Sequence, residues 1–410
     1  MLQVLVNGRI PVVAKLKNQT RNMFSISTFH QIMKGLPRSA FDQLVKKHKA
    51  NKYCKGFGPW QHLLAMVYAQ LSGAEGLRPL AAGFNHHLAH HYHLDARCIR
   101  RTTLADANEN RSVAVFNETA NWLITKLAGT LGREARDLTY LLDSTSITLK
   151  GREFERWTTD NATRNTQGLK LHLLLDAHSK TPLWQTMTAP NINDVLQARA
   201  VPLQAGALYV FDKGYCDYNW WHCIDEAQAT FVTRFKSNAN VVIDKTLEIP
   251  QQARDTVLAD ELVRFKHKTP GGKRRNAYEK LLRRVTVVRP DSSPLVFATN
   301  DLTSPALEIA QRYKERWGIE LFFKWIKQHL RIKRFLGRSE NAVRIQVLTA
   351  LISYLLVELY RQQRWCKLTC WECLCIVRAT LFQRPDTDIS SYRRRRENAH
   401  TMAQLQPSLF

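Results

Sequence analysis

The sequence predicts an α/β protein that begins with an all-helical part, and three observations lead to that prediction. From about Phe24 to Gly129, apolar residues recur every three to four positions, which is the period of amphipathic helices. From Leu138 onward, short runs rich in Leu, Val, Thr and aromatic residues replace this period, as is typical of strands. Stretches of helical pattern then separate the later runs, and this alternation indicates helices packed on a mixed sheet.

Five strands are predicted at the start of the α/β part. They are Leu138–Leu149, Leu169–His178, Thr181–Ala189, Ala207–Gly214 and Thr230–Lys236. Three consecutive strands followed by alternating helix and strand is the order of an RNase H-like core. We therefore expect an RNase H-like mixed sheet in the middle of the chain.

A segment of different composition covers residues 238–300. Within it, residues 264–289 contain ten lysines and arginines and a single acidic residue. The Pro-Gly-Gly turn and the alternation in "LLRRVTVV" predict a β-rich insertion that contains a hairpin. The basic residues at the turn, Lys273, Arg274 and Arg275, suit contact with a phosphate backbone, although a solvated charged loop has the same composition.

The chain carries a large positive charge. Its 60 Lys+Arg and 35 Asp+Glu give a formal net charge of +25, with a pI near 9.9. Such an excess indicates a polyanionic partner, either nucleic acid or an acidic membrane surface. The longest apolar run, Val343–Tyr360, is interrupted by Arg344, Gln346 and Glu358, so we expect a core helix and no membrane partner.

The first residues and the cysteines bear on where the protein works. The segment "MLQVLVNGRIPVVAKLK" lacks the continuous apolar stretch of a secretory signal, so a cytoplasmic protein is expected. The eight cysteines are dispersed and are expected to be reduced. Cys366, Cys370, Cys373 and Cys375 could hold zinc, but the helical pattern around them favours core packing.

Two aspartates occupy unusual places in the predicted sheet. Asp143 interrupts the apolar strand "YLLDSTSI", and Asp212 ends the strand "LYVFDKGY". A carboxylate within or at the end of an apolar strand is costly to desolvate unless something neutralises it, and a divalent cation would do so. A turn cap is the alternative, and it suits Asp212 better than Asp143.

A long basic helix supplies a third carboxylate. Ser304 and Pro305 are predicted as its N-cap and first residue, and it is expected to continue beyond Leu330. One face carries a polar row made of Tyr313, Arg316, Glu320 and Lys327. The adjacent face carries an apolar stripe made of Ile319, Phe323, Ile326 and Leu330. Docking of this stripe on the sheet would turn Glu320 toward the two aspartates.

Three converging carboxylates predict a site for Mg²⁺, a hard cation that prefers oxygen ligands. Two such ions about 3.5 to 4 Å apart hold the attacking and leaving oxygens of a phosphodiester during in-line displacement. The basic residues around Glu320 would then hold DNA phosphates. In this interpretation Asp143, Asp212 and Glu320 are both the catalytic residues and the metal ligands.

The spacing of the polar row is that of a known family signature. Tyr313, Arg316, Glu320 and Lys327 fit Y-x2-R-x3-E-x6-K, and the chain resembles the IS4-type bacterial insertion-sequence transposases along most of its length. The resemblance implies that the three acids are the DDE ligands of two Mg²⁺ ions, with Mn²⁺ able to substitute. It implies that Tyr313, Arg316 and Lys327, with the neighbouring Lys324, bind DNA.

The resemblance also implies a reaction and its partners. Family members cut transposon ends, join them to target DNA, and act as homodimers on double-stranded DNA, here in the bacterial cytoplasm at the nucleoid. Excision through a hairpin needs an aromatic residue that stacks on a flipped base. Residues 237–300 contain no tryptophan, so the candidates are Trp157, Phe265 and Tyr278.

The resemblance and the patterns together divide the chain into five parts. They are a helical N-terminal DNA-binding domain (1–130), the first part of the RNase H-like core (131–237), the basic β-rich insertion (238–300), the catalytic helix of the core (301–345) and a C-terminal helical region (346–410). The last part contains "SYRRRREN", which is expected to contact DNA nonspecifically or to stay solvated. Two other functions share the three carboxylates or the fold: an RNase H-fold nuclease that acts on branched DNA, and a non-catalytic DNA-binding relative.

Overall fold

The chain forms two compact units in the computed structural model. One consists of Met1–Phe116 together with Thr349–Phe410, and the other is Asn117–Leu348. The structure describes residues 26–52, 54–130, 138–163, 166–237, 239–269, 275–289 and 292–384. Lys273, Arg274 and the "SYRRRREN" segment lie outside these described residues.

Thirteen α-helices occur in the described part of the chain. They are α1 (Thr28–Met33), α2 (Arg38–Lys47), α3 (Pro59–Ser72), α4 (Leu77–His86), α5 (Arg101–Asn110), α6 (Val113–Thr130), α7 (Arg152–Thr158), α8 (Asp194–Ala198), α9 (Tyr218–Glu226), α10 (Ala306–Glu315), α11 (Trp317–His329), α12 (Glu340–Arg364) and α13 (Cys370–Thr380). The region from α1 to α6 contains no β-strand among its described residues, so the predicted helical N-terminal region is confirmed.

Helix α3 shows how the sequence defines these helices. Pro59 occupies the first helical position, where its fixed φ is that of a helix. An N–H group at this position would have no hydrogen-bond partner within the helix, so its absence in proline breaks no bond. Gly73 follows the last residue with φ 72°, a left-handed conformation that glycine adopts without strain. Between them nearly every side chain is buried, which makes α3 a core helix of the first unit.

The second unit is built on one nine-stranded mixed sheet. Its strands are β1 (Thr139–Thr148), β2 (Gly168–Asp176), β3 (Pro182–Thr188), β4 (Leu208–Phe211), β5 (Thr230–Arg234), β6 (Val241–Thr246), β7 (Val257–Phe265), β8 (Leu282–Val287) and β9 (Leu295–Thr299). Their order across the sheet is β3-β2-β1-β4-β5-β9-β8-β7-β6. The five strands predicted from the sequence are β1 to β5.

The first five strands have the RNase H-like arrangement that the sequence predicts. Strands β1, β2 and β3 form an antiparallel meander, and β4 and β5 are parallel to β1. Helix α9 connects β4 to β5 and packs against the sheet. Its Trp220 contacts Phe211 of β4, and its Trp221 contacts Phe231 of β5. This aromatic core supports the strands that carry the aspartates.

The predicted insertion is β-rich, and its strands extend the same sheet. Strands β9, β8, β7 and β6 follow β5 as antiparallel neighbours. The edge strand β6 is exposed along most of its length, whereas β8 is largely buried. The segment therefore widens the sheet on the side of β5.

The helix that carries Glu320 differs from the prediction of one continuous helix. It consists of α10 and α11, which meet at Arg316. Around this residue the backbone tightens, because the N–H of Arg316 bonds to Tyr313 O and the N–H of Ile319 bonds to Arg316 O, both three residues apart. Gly318 lies two residues later, and its low helix propensity favours an interruption in this region.

The start of this helix was also predicted incorrectly. Pro305, not Ser304, is the N-cap of α10, and no side chain caps the helix there. Instead, Asp301 accepts hydrogen bonds from the N–H groups of Thr303 and Ser304 and forms an ion pair with Arg312. An aspartate turn thus fixes the entry of the chain into α10.

The long apolar run forms part of α12. Among the described residues, this is the one helix with the length and apolar composition of a membrane span, and 94% of its most apolar window is buried. Glu358, which interrupts the run, is buried and paired with Arg361. These features agree with the predicted core helix.

The clustered cysteines do not form a metal site in the described part of the chain. Cys373 is buried in α13, whereas Cys366 and Cys375 are exposed. No three His, Cys, Asp or Glu side chains among the described residues are close enough to hold a metal ion as they stand.

Candidate active site

Strand register places the two aspartates side by side. Strands β1 and β4 are parallel neighbours, and Leu142 pairs with Phe211. The next residues of the two chains are Asp143, which lies within β1, and Asp212, which follows the end of β4. The prediction of one carboxylate inside a strand and one at a strand end is therefore correct in position.

Helix α11 brings Glu320 to the same region of the sheet. Its apolar stripe is buried as predicted: Ile319, Phe323, Ile326 and the following Leu330 are each at most 5% exposed. Gly318 allows the helix to approach β1 closely, since a Cβ at this position would lie 3.2 Å from Leu141 Cδ1. The helix thus presents Glu320 beside Asp143.

Arg316 links two of the three carboxylates. Its Nη1 lies 3.3 Å from Asp143 Oδ2, and its Nη2 donates a hydrogen bond to Glu320 Oε1. The third guanidinium nitrogen, Nε, is buried without a hydrogen-bond partner in the described structure. The pKa of Arg316 is raised by Tyr313, Glu320 and Asp143 against the opposing effect of burial.

Asp212 has a different set of partners. The Tyr313 hydroxyl donates to Asp212 Oδ1 at 3.0 Å, and Arg234 Nη1 lies 3.9 Å from the same oxygen. The Tyr313 ring packs on Phe297 of β9, with ring centroids 4.7 Å apart. Burial raises the pKa of Tyr313, and the neighbouring Asp212 raises it further, so this hydroxyl keeps its proton at neutral pH.

The electrostatics of the site are set by burial around Asp143. Burial raises the pKa of Asp143 to about 6; Ser144 N–H and Arg316 lower it, and Glu320 and Asp212 raise it. Glu320 and Asp212 are thus both near enough to Asp143 to act on its charge. A second positive charge at this position would relieve the repulsion that remains.

A cleft of about 470 Å³ opens beside Asp143 and Glu320. Lys327 crosses it and donates from Nζ to Thr145 Oγ1 at 2.6 Å and to the Ser146 carbonyl at 2.9 Å. Lys324 and Lys333 also line the cleft, and Lys324 is exposed. Of the predicted polar row, Glu320 and Lys327 line this cleft, whereas Tyr313 contacts Asp212 and Arg316 contacts Asp143 and Glu320.

A second, more basic cleft of about 870 Å³ begins at Asp212. Its positively charged lining residues are Lys213, Arg234, Lys236 and Arg284. The sequence analysis did not identify this cleft. The available signal was the position of Lys213 and Lys236, each of which follows the end of a buried strand as Asp212 does.

The other candidate residues are placed apart from these clefts or in the core. Arg275 is exposed, its side chain lies 4.0 Å from Glu279, and its carbonyl accepts a hydrogen bond from Asn219 of α9. Tyr278 is 2% exposed, so it cannot stack on a base. Phe265 packs on Tyr218 in the core.

Trp157 is the remaining aromatic candidate. It is partly exposed on α7, and its indole N–H donates to the Arg338 carbonyl at 3.0 Å. Its neighbour Phe154 is buried against Phe335. This helix is thus anchored on the segment that follows α11.

The donor set of the site fits Mg²⁺. Asp143, Asp212 and Glu320 supply only carboxylate oxygens, which this ion prefers. At present Arg316 and Tyr313 hold oxygens of all three groups. The carboxylates therefore fit the ion by the chemistry of their oxygen donors.

Comparison with known proteins gives a family. The family model described as "Transposase DDE domain" matches residues 134–356, which is more than half of the chain. This chain belongs to the transposase DDE domain family. A second model, "Domain of unknown function (DUF4372)", matches residues 25–97 in the helical N-terminal region of this transposase.

Three relatives agree with this assignment. A putative transposase y4zB of Sinorhizobium fredii is 42% identical over 261 residues, which cover 62% of this chain and 70% of the relative. A probable transposase for insertion sequence element IS5377 of Geobacillus stearothermophilus is 27% identical over 55% of this chain and 57% of its own length. A putative transposase for insertion sequence element IS4SA of Synechocystis is 29% identical over 37% of this chain and 40% of its own length. The IS4-type resemblance inferred from the signature is confirmed.

Proposed function

We propose that this transposase binds the terminal inverted repeats of an insertion sequence, cleaves them by two-metal-ion chemistry and joins the 3′-OH ends to target DNA. The observation that supports the proposal is the approach of Asp143, Asp212 and Glu320 on the neighbouring central strands β1 and β4 and on α11, where Arg316 contacts Asp143 and Glu320. These residues come from three elements far apart in the sequence. Asp212 lines one cleft with basic residues, and Asp143 and Glu320 line another.

The carboxylates would hold Mg²⁺, or Mn²⁺ in its place. When bound, the ions would lower the pKa of an attacking water or 3′-hydroxyl and stabilise the leaving oxygen. The protein's contribution is to fix the ligands on rigid elements: Asp143 within β1, Asp212 at the end of β4, and Glu320 on a helix anchored by buried residues. This rigidity holds the reacting phosphodiester in line.

The basic residues would bind DNA on either side of the carboxylates. Lys327 and Lys324 line the cleft of Glu320, and Tyr313 and Arg316 lie at the junction of α10 and α11. Lys213 and Lys236 line the cleft of Asp212. A duplex bound across the edge of the sheet would thus have cationic groups near phosphates on both sides of the cut bond.

The wider assignments are part of the same proposal. One chain carries a single set of the three acids, and cutting two ends of an element requires two sets, which supports a homodimer on DNA. The helical N-terminal domain and the basic turn at Lys273, Arg274 and Arg275 are proposed to add DNA contacts. The net charge of +25 supports a protein that works at the nucleoid in the cytoplasm.

The test is strand cleavage by the purified full-length chain on a duplex that carries the inverted repeats flanking its gene, with and without Mg²⁺. Loss of a residue that hydrogen-bonds to a metal ligand lowers activity by up to ~100-fold. Loss of a ligand itself should cost more, so we expect a larger decrease in the cleavage rate for each of three variants: Asp143→Asn, Asp212→Asn and Glu320→Gln. The duplex should still bind. Cleavage retained in any variant would remove that residue from the site.

A matched control and a second substrate complete the experiment. Glu315→Gln changes an exposed carboxylate one residue before Arg316 and should leave cleavage unchanged. A four-way junction tests the alternative of a nuclease for branched DNA. Preference for the junction over the inverted repeats would contradict the transposase proposal.

A further inference from the structure

The geometry points to Arg316 as a residue that keeps the metal site closed until DNA arrives: it neutralises Asp143 and Glu320 in the DNA-free protein and releases them when it binds a DNA phosphate. This inference rests on the proposed function, because it assigns the regulation of the same site. It makes metal binding and DNA binding mutually dependent. Arg316 is a positioning residue in this scheme, since it acts through the carboxylates.

The contacts of Arg316 carry the first step. Its two terminal nitrogens are directed to two different carboxylates, one on β1 and one on its own helix one turn later. In both contacts a positive guanidinium occupies the place where a cation would neutralise the same charges. While the guanidinium stays there, it neutralises part of the negative charge of the two acids and occupies space that a divalent ion would fill.

The alternative partner of Arg316 carries the second step. A guanidinium prefers to bind a phosphate through two parallel N–H groups. Both terminal nitrogens are already directed to Asp143 and Glu320, and Nε is buried without a partner. Because Nε is buried where it stands, a phosphate would engage the two terminal nitrogens, and it would there compete with Asp143 and Glu320 for the same guanidinium.

The position of Arg316 makes such a movement possible. It lies at the junction of α10 and α11, where the hydrogen bonds are of the tighter three-residue kind and Gly318 lies two residues later. The guanidinium carbon is 5.7 Å from the centroid of the Tyr313 ring, which gives it an aromatic surface to move along. Tyr313 itself holds Asp212, so the same segment touches all three acids.

Coupling of this kind is reciprocal by thermodynamic necessity. If DNA removes Arg316 from the carboxylates, the freed acids bind a divalent ion more tightly. If a divalent ion occupies the carboxylates first, Arg316 is released and binds phosphate more tightly. The enzyme would thereby assemble its metal site mainly when DNA is bound.

The experiment measures Mn²⁺ binding to the DNA-free full-length chain by electron paramagnetic resonance of the free ion. Arg316→Gln should bind Mn²⁺ about tenfold more tightly than the natural protein, within the range of 5- to 150-fold found for coupled sites. Lys327→Ala is the matched control. It removes one half-buried positive charge from the same cleft, but that charge is held by Thr145 and Ser146 and not by the acids, so its Mn²⁺ affinity should change by about twofold or less.

A second variant keeps the test decisive if Arg316→Gln does not fold, which circular dichroism will show. Arg316→Lys retains the charge but cannot reach both carboxylates with a single ammonium, so it should also bind Mn²⁺ more tightly, by about threefold. Equal affinity of the natural protein and the folded Arg316 variants would overturn the inference. So would an equal gain in Lys327→Ala.

The outcomes also separate this inference from the proposed function. Asp143→Asn combined with Arg316→Gln should lose the gain in Mn²⁺ affinity, because the freed ligand is missing. If neither the natural protein nor any variant binds Mn²⁺, the metal site of the proposed function fails. If the natural protein binds Mn²⁺ and loses it in Asp212→Asn, while Arg316→Gln binds no better, only the role of Arg316 fails.

Discussion

Two arginine–carboxylate clusters lie in the second unit, and they differ in their burial and in their bonding. In the first, Arg283 of β8 forms a two-point ion pair with Asp260 of β7 at 2.8 and 2.7 Å, and the side chains are only 5% and 4% exposed. In the second, Arg316 divides its contacts between Asp143 and Glu320, and the three side chains are 15%, 20% and 34% exposed.

The difference separates a structural ion pair from a candidate active site. Arg283 uses its remaining nitrogen on the Ser304 carbonyl, so its guanidinium is fully bonded and closed to solvent. Arg316 leaves one nitrogen without a partner, and burial and the neighbouring acids raise the pKa of Asp143 to about 6. Perturbed pKa values of this kind cluster at functional sites, so the contrast supports the proposed role of the Arg316 cluster.

The largest expected effect concerns the structural pair. Asp260→Asn leaves the Arg283 charge buried without its partner, and it should lower the free energy of unfolding by about 3–5 kcal/mol. Urea unfolding followed by tryptophan fluorescence measures it. A loss below about 1 kcal/mol would remove the contrast between the two clusters.

At the candidate active site, the corresponding substitution should have the opposite sign. The raised pKa means that ionised Asp143 is disfavoured in the folded protein, and a rise from 3.8 to about 6 corresponds to up to about 3 kcal/mol at pH 7. Asp143→Asn should therefore raise the free energy of unfolding in the presence of EDTA while it abolishes cleavage. The measurement is the same urea titration at pH 7, and destabilisation by this variant would contradict the assignment.

The close approach of α11 to β1 can be tested at Gly318. A larger side chain would press on Leu141 and on Lys180, whose Nζ would lie 3.0 Å from a Cβ at this position, so Gly318→Val should lower the free energy of unfolding by about 2 kcal/mol. Cleavage should fall as well, because Glu320 would move. Gly129→Val is the control, since a Cβ at that helical position meets nothing within 4 Å.

The smallest effect is expected for a phosphate contact. Lys327→Ala should weaken DNA binding and reduce the slope of log K against log salt by about one, as loss of a single phosphate contact does. Fluorescence anisotropy at several salt concentrations measures the slope. Lys280→Ala removes a lysine that is already paired with Asp225 and Glu226 and should leave the slope unchanged.

The sequence predicted the elements of the core well, because apolar periodicity reports burial directly. The strands that became β1 to β5 and the buried stripe of α11 were found in this way. The joining of β5 to β9 was not predicted, because strand pairing between distant segments leaves no periodic trace. The break at Arg316 was missed for a similar reason: the apolar stripe continues across it, and the tightening depends on hydrogen bonds within the folded chain.

By itself, the sequence determined the fold class, the large positive charge, and the spacing of the polar row that resembles the family signature. These follow from composition, period and spacing, which are properties of the linear chain. Only the tertiary structure decided which charges touch. The contacts of Arg316 with Asp143 and Glu320, and the adjacency of Asp143 and Asp212, depend on strand register and helix docking, since electrostatic interactions are set by distances and burial that exist only after folding.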